Sequence, residues 1–384
     1  MAIGPLIPGA ASGVAVRVLP VTEPGAVRAV TGRLTALAQA VPGAGTPQVP
    51  LSLEAALARA VGAAVQSAVQ RQGGLGPLMA DLAQAMADPA SGLPPKVRAA
   101  AAQVLNLRTP LGPTVTAADL QTAVARSGLF LEARMAAAPP PAAGAPAVPP
   151  ADLKAALLVA RQALGQWAEA AEPPPLPISL PAPGAAPEPA PRAGAAPPAP
   201  PYRNGPTTPQ NPAEPSLAPE AAPRAIARRL LQDADAALAR QELMQAASLP
   251  DALAAPGPAR RPADAHWLFE LPFAGPQGSG VAQFEIDREA QGPGVPDAHP
   301  VWRARFSLAL EPLGPLHVQV ALTGARANVA LWAERPESAL TLRAGEQGLA
   351  AALSAAAYAP EVAVFSGAPA RAPPPPGAFL DRSS

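Results

Sequence analysis

No cysteine occurs anywhere in the 384 residues, which excludes a disulfide framework, thiolate metal sites and cysteine nucleophiles. Lysine is nearly missing, found only at Lys96 and Lys154. An excess of either charge is also absent: 28 basic and 28 acidic residues cancel, which removes the electrostatic case for a nucleic-acid partner or an anionic membrane surface. Long apolar runs are lacking. The best candidate, Leu349 to Tyr358, is short, dominated by alanine and followed by Pro360, well below the roughly 20 residues a membrane-spanning helix requires, so no membrane insertion is expected. Pro5, Pro8 and Gly13 interrupt the amino terminus and no basic residue precedes Arg17, so a secretory signal peptide is not expected either. Aromatics are scarce. Of Trp 4, Tyr 2 and Phe 7, none precedes Phe130 and most lie between Trp267 and Phe365, which concentrates the capacity to bury large rings in the last third of the chain.

Catalytic and metal-binding patterns are missing as well. His266, His299 and His317 are scattered without metal-ligand spacing, and no HExxH, Walker A or GxSxG motif occurs. Glu285 and Asp287 share one strand face and read as a solvated edge. His317 falls on a polar strand face, where exposure is the default. The stretch Gly275-Pro-Gln-Gly-Ser-Gly280 lacks the lysine and following helix of a phosphate loop and reads as a hairpin connection. No enzyme, cofactor or metal site is expected.

What is present divides by composition. Residues 1–50 read as a disordered amino terminus. From 51 to 172 come short alanine-rich helices: one capped by Ser52 with Leu53, Leu57, Val61, Val65 and Val69 on a stripe, one starting at Pro95, and one with capping-box spacing at Thr116 and Asp119. Small side chains bury little area, so this region is expected to be loosely packed. Leu153, Leu157, Ala160, Leu164, Trp167 and Ala171 form a sharper seam, suited to the chain's other helices or to a partner helix. Residues 173–223 are so dense in proline that a disordered, semi-extended linker is expected. Helix returns over 224–250, with Ile226, Leu230, Ala234 and Leu238 on one stripe.

The firmest local signal lies near the carboxy terminus, within an expected globular domain at 264–367 followed by a disordered tail at 368–384. Trp302, Ala304, Phe306, Leu308 and Leu310 alternate with Arg303, Arg305 and Ser307, the period of a half-buried strand. Leu316, Val318, Val320 and Leu322 follow, then Ala327 to Glu334 with Val329 and Leu331 facing one way and Asn328 and Trp332 the other. Strands are also expected over Trp267–Phe273, Val281–Asp287 and Glu361–Phe365, and a helix from Pro336. The fold class is therefore α+β: a small C-terminal domain of antiparallel strands plus one helix, preceded by the Ala-rich helices and the Pro-rich linker.

Trp302, Leu310-Glu-Pro-Leu-Gly314, Leu316-His-Val-Gln-Val320 and Leu331-Trp-Ala-Glu334 before a helix resemble the C-terminal domain of flagellar hook-length control proteins. The likeness extends over roughly 225 to 370, and Ser127-Gly-Leu-Phe-Leu-Glu-Ala133 resembles an amino-terminal segment of that family. The resemblance implies a monomer that is cytoplasmic before passing through the flagellar type III export apparatus, and found in the hook channel and outside the cell afterwards. It implies contacts with hook and hook-cap proteins, and a C-terminal domain that meets the switch component of the export gate and turns export from hook to filament substrates. Pro312, Leu313, Gly314 and Trp332 are the partner-binding residues it suggests. The competing class is a cytoplasmic Pro/Ala-rich scaffold or adaptor.

Overall fold

In the computed structural model, residues 53–112, 115–137, 151–171, 199–249, 265–275, 278–289 and 299–370 are described, and all belong to one compact unit, 45–384. The readings for residues 1–50, for Ser52, for 173–198 of the Pro-rich stretch and for the tail from 371 lie outside the described residues.

Among the described residues, eight α-helices lead into and flank one sheet. They are α1 (Leu53–Arg71), α2 (Leu75–Ala87), α3 (Pro95–Leu105), α4 (Ala117–Ala125), α5 (Leu131–Ala137), α6 (Leu153–Ala170), α7 (Pro223–Ala247) and α8 (Pro336–Ala355). The strands are β1 (Thr109–Pro110), β2 (Ala265–Gly275), β3 (Gly278–Glu289), β4 (Val301–Leu310), β5 (Gly314–Thr323), β6 (Arg326–Ala333) and β7 (Ala359–Ser366), and they follow sequence order across the sheet. From β2 to β6 the pairing is an antiparallel meander. β1 and β7 pair parallel to their neighbours, because a returning helix such as α8 brings the chain back in the same direction.

The antiparallel meander and its helix are as expected, but the sheet has seven strands with a parallel pair at each edge, and the domain is not small. Its first edge strand comes from Thr109–Pro110, far upstream, and Val281 of β3 belongs to the same buried cluster as Leu78, Leu82, Val104, Leu157, Leu164 and Leu230. The helices expected to be loose are packed. Alanines at 85, 100, 101, 160, 227 and 234 are nearly inaccessible, because their size lets helix backbones approach closely while leucines on the neighbouring stripes supply the buried area. Thr116 and Asp119 form the reciprocal capping box. Asp152 caps α6, accepting from the amides of Lys154 and Ala155, and the α6 seam turns inward onto α3 and α7.

Residues 199–222 run as an extended strap rather than as a free linker. Gln210 bridges Val281, the Asn204 amide donates to Glu285 Oε1 (2.8 Å), the Thr208 amide donates to Gln283 Oε1 (2.9 Å), and Thr207 Oγ1 lies 2.7 Å from Ser307 Oγ. Ser216 bonds Asp81 of α2 through its amide and its hydroxyl. Proline prevents this segment from forming a ladder, but its few polar side chains and free amides find acceptors on the sheet.

Candidate partner-binding site

The hairpin between β4 and β5 carries three of the sequence-predicted residues. Leu310 and Gly314 close it, and the Glu311–Pro312 peptide is cis. Gly314 has φ of +74°, and a Cβ there would lie 2.5 Å from Arg335 Nε. The backbone conformation disfavours a side chain here, and a Cβ would also have to displace the Arg335 side chain. That guanidinium braces the tip: Arg335 Nη1 donates to Glu311 Oε2 (2.8 Å) and to Pro312 O (2.7 Å), and Nη2 donates to Glu311 Oε1 (2.8 Å). The Arg335 hydrogen bond holds the Glu311 carboxyl below its usual range. Ser338, in the first turn of α8, donates to Leu313 O (2.7 Å), while the Leu313 side chain packs with Leu316, Ala333 and Ala339. The exposed part of the tip is Glu311-Pro312.

Trp332 stands apart from the hairpin tip, on the polar face of β6, paired across the ladder with His317. Its ring stacks on Phe365 of β7 at 5.3 Å between centroids, and Phe365 is 45% exposed. The structure therefore brings Pro312, Leu313 and Gly314 together, and places Trp332 in a separate aromatic pair at the sheet's far edge.

Two polar clusters were misread as solvated. His317 is buried, with Ser307 Oγ 2.8 Å from Nδ1 and Glu334 Oε1 3.0 Å from Nε2. The chain of Ser, His and Glu has the membership of a hydrolase triad, but the Ser307 hydroxyl is enclosed against Thr207, where no substrate carbonyl reaches it. Glu285 is also fully buried, and burial raises its pKa against the opposing pull of Arg305 and His266. Its Oε2 lies 2.6 Å from Arg305 Nη2, and His266 bonds Asp287 through Nδ1 at 2.6 Å. Burial presses upward on Asp287 as well, but His266 first, then Arg305 and Arg203, outweigh it and hold its carboxyl below the ordinary range. His266, Glu285 and Asp287 are close enough to ligate one cation, yet the charge they face is already supplied by Arg305.

Both misreadings have one cause. Period two distinguishes the faces of a strand but not what lies over them, and here the strap covers the polar face. One signal could have found it: Tyr202-Arg-Asn-Gly-Pro-Thr-Thr-Pro-Gln-Asn211 is the polar island in the proline-rich stretch.

Residues 291–372 match the family model of the flagellar hook-length control protein FliK. The match spans β4 to β7 with α8 and the braced hairpin, and leaves the upstream part of the resemblance outside it. No curated protein and no solved structure matches the chain. The hook-length control family is a non-enzymatic regulatory family of the flagellum. Among the described residues, no helix is long and apolar enough to cross a membrane.

Proposed function

We propose that this chain is a hook-length control protein, exported through the flagellar type III apparatus, whose C-terminal sheet engages the switch component of the export gate and turns export from hook to filament substrates. The observation that carries the reading is the family match over the part of the sheet that is least covered. Support also comes from the chemistry of export. A chain that threads a narrow channel must unfold, and no disulfide opposes this. The helices of 53–171 dock on the same unit as the sheet, so a length measurement belongs to the unfolded chain in transit. Residues up to about 260 would then reach on the order of 900 Å at the extended rise per residue. Hook and hook-cap proteins are the partners met on that path, and the hook channel and cell exterior are where the exported chain resides.

The test is a truncation after residue 263 in the source bacterium. Electron microscopy should show overlong hooks without filaments, because nothing remains to engage the gate. Hooks of normal length carrying filaments would overturn the reading and favour a cytoplasmic scaffold.

A further inference from the structure

The sheet ends at β7, and among the described residues no strand lies along its outer side. Its ladder fixes which groups are free. The Ala359 amide donates to Ala325 O and the Gly367 amide donates to Ala333 O, both at 2.8 Å. Alternate residues of a strand point their N–H and C=O to opposite sides, so Glu361, Ala363 and Phe365 are committed to β6. Val362, Val364 and Ser366 therefore present donor and acceptor outward. Pro360 lies on the outward side too, but has no N–H and closes that end.

Open edges are ordinarily blunted by lysine, proline, bulges or inward charge. From Val362 to Ser366 β7 has none of these protections, since its one charge, Glu361, and its proline both precede that run. The flanking surfaces suit an apolar strand. Phe365, stacked on Trp332, gives an aromatic platform on one face, and the half-buried Val362 and Val364 continue the other.

We propose that β7 is a strand-addition site, taking an extended segment of a partner protein with apolar or aromatic side chains at alternate positions. The inference rests on the reading that the C-terminal sheet docks an export component, and it names the surface. A helical segment cannot answer the outward groups, because its own backbone groups are satisfied internally. A second copy fits less well. In an antiparallel self-pair the Pro360 of each copy would shorten the ladder at both ends, whereas a partner strand meets one proline only. In strand addition the main-chain bonds supply affinity and the alternating side chains supply selection.

The experiment is site-resolved amide exchange on the full chain, free and mixed with the purified cytoplasmic portion of the export gate's switch component. In the free chain, the amides of Val362, Val364 and Ser366 should exchange quickly while those of Glu361, Ala363 and Phe365 are protected; the reverse pattern overturns the edge geometry. On binding, the first set should become protected at least tenfold. Val364→Pro removes one outward donor without touching the β6 ladder and should weaken binding by at least tenfold, with the protection of Glu361, Ala363 and Phe365 retained in the free variant as the check on folding. Binding that leaves the outward amides fast overturns strand addition and spares the export-switch reading. Failure of the wild-type chain to bind that portion at all overturns both. A concentration-dependent dimer that protects the same amides would give the edge to a second copy and overturn the proposal of a foreign strand.

Discussion

The two halves of the sheet are built to different standards of enclosure. Most of β2 is buried, and β3 nearly so in its middle: the large helical cluster and the strap share the face of Val281, Gln283 and Glu285, while Ala123 and Val124 of α4 pack with Phe269 and Ala282 on the other. At the opposite edge β7 has no buried residue, and α8 buries only Ser338 and Ala339. A fold can tolerate such asymmetry when one half supplies the stability and the other keeps its surface free for contact. The family match falls on the open half. The core that holds it in place is assembled largely from residues outside the match.

The largest effect that would break this comparison is expected at Arg240. Its side chain and that of Glu270 are each 1% exposed and lie 2.7 Å apart, and Arg240 also reaches Gln72 and Ala199. Arg240→Ala strands a buried carboxylate and should cost about 3–5 kcal/mol in denaturant melts. A loss no greater than that of a surface substitution would mean the enclosed half is not the stabilising one.

A pH dependence comes next, at the junction of α2, α7 and the strap. Burial, together with the Asp81 carboxylate and against the pull of Arg229, raises the Asp233 pKa to about 7. A folded-state value above the unfolded one makes a contribution that is complete below about pH 4 and is lost as pH rises through 7. Over that interval Asp233 should lower stability with a slope approaching about 1.4 kcal/mol per pH unit. Asp233→Asn should remove that slope, so urea melts of variant and parent should lie close together at pH 4 and diverge in the variant's favour at pH 8.

In the open half, Gly314→Ala forces a side chain into positive φ and against Arg335. It should cost roughly 1–3 kcal/mol and release the Glu311–Arg335 brace, which a chemical-shift change at the Arg335 guanidinium would report. If the proposed function holds, Gly314→Val should still be exported yet switch poorly, giving overlong hooks by electron microscopy. The smallest effect is expected at Phe365→Ala, roughly 0.5–1.5 kcal/mol for the lost stack on Trp332, with the melting of the helical layer unchanged. A Phe365→Ala loss matching that of Arg240→Ala would erase the distinction between the halves.

Residue order alone determined most of the strands, though not β1, which exists only as a pairing with the distant β2. Trp302-Arg-Ala-Arg-Phe-Ser-Leu alternates because a strand exposes its two faces in turn, and β4, β5 and β6 lie where that alternation runs. Thr116 with Asp119, and Asp152, mark helix starts through bonds that span three residues. Gly314 answers a demand just as local, since a tight connection needs a positive φ. Tertiary structure decided which faces are covered. Glu285 and Ser307 sit on polar faces that local pattern assigns to solvent, and they are buried because the strap, about 80 to 100 residues earlier in the chain, lies across them. Alanine-rich helices were likewise unreadable as a core, because what an alanine gains depends on how closely a distant backbone approaches it. Periodicity is a property of neighbours a few residues apart. Burial is settled by segments whose meeting no local pattern encodes.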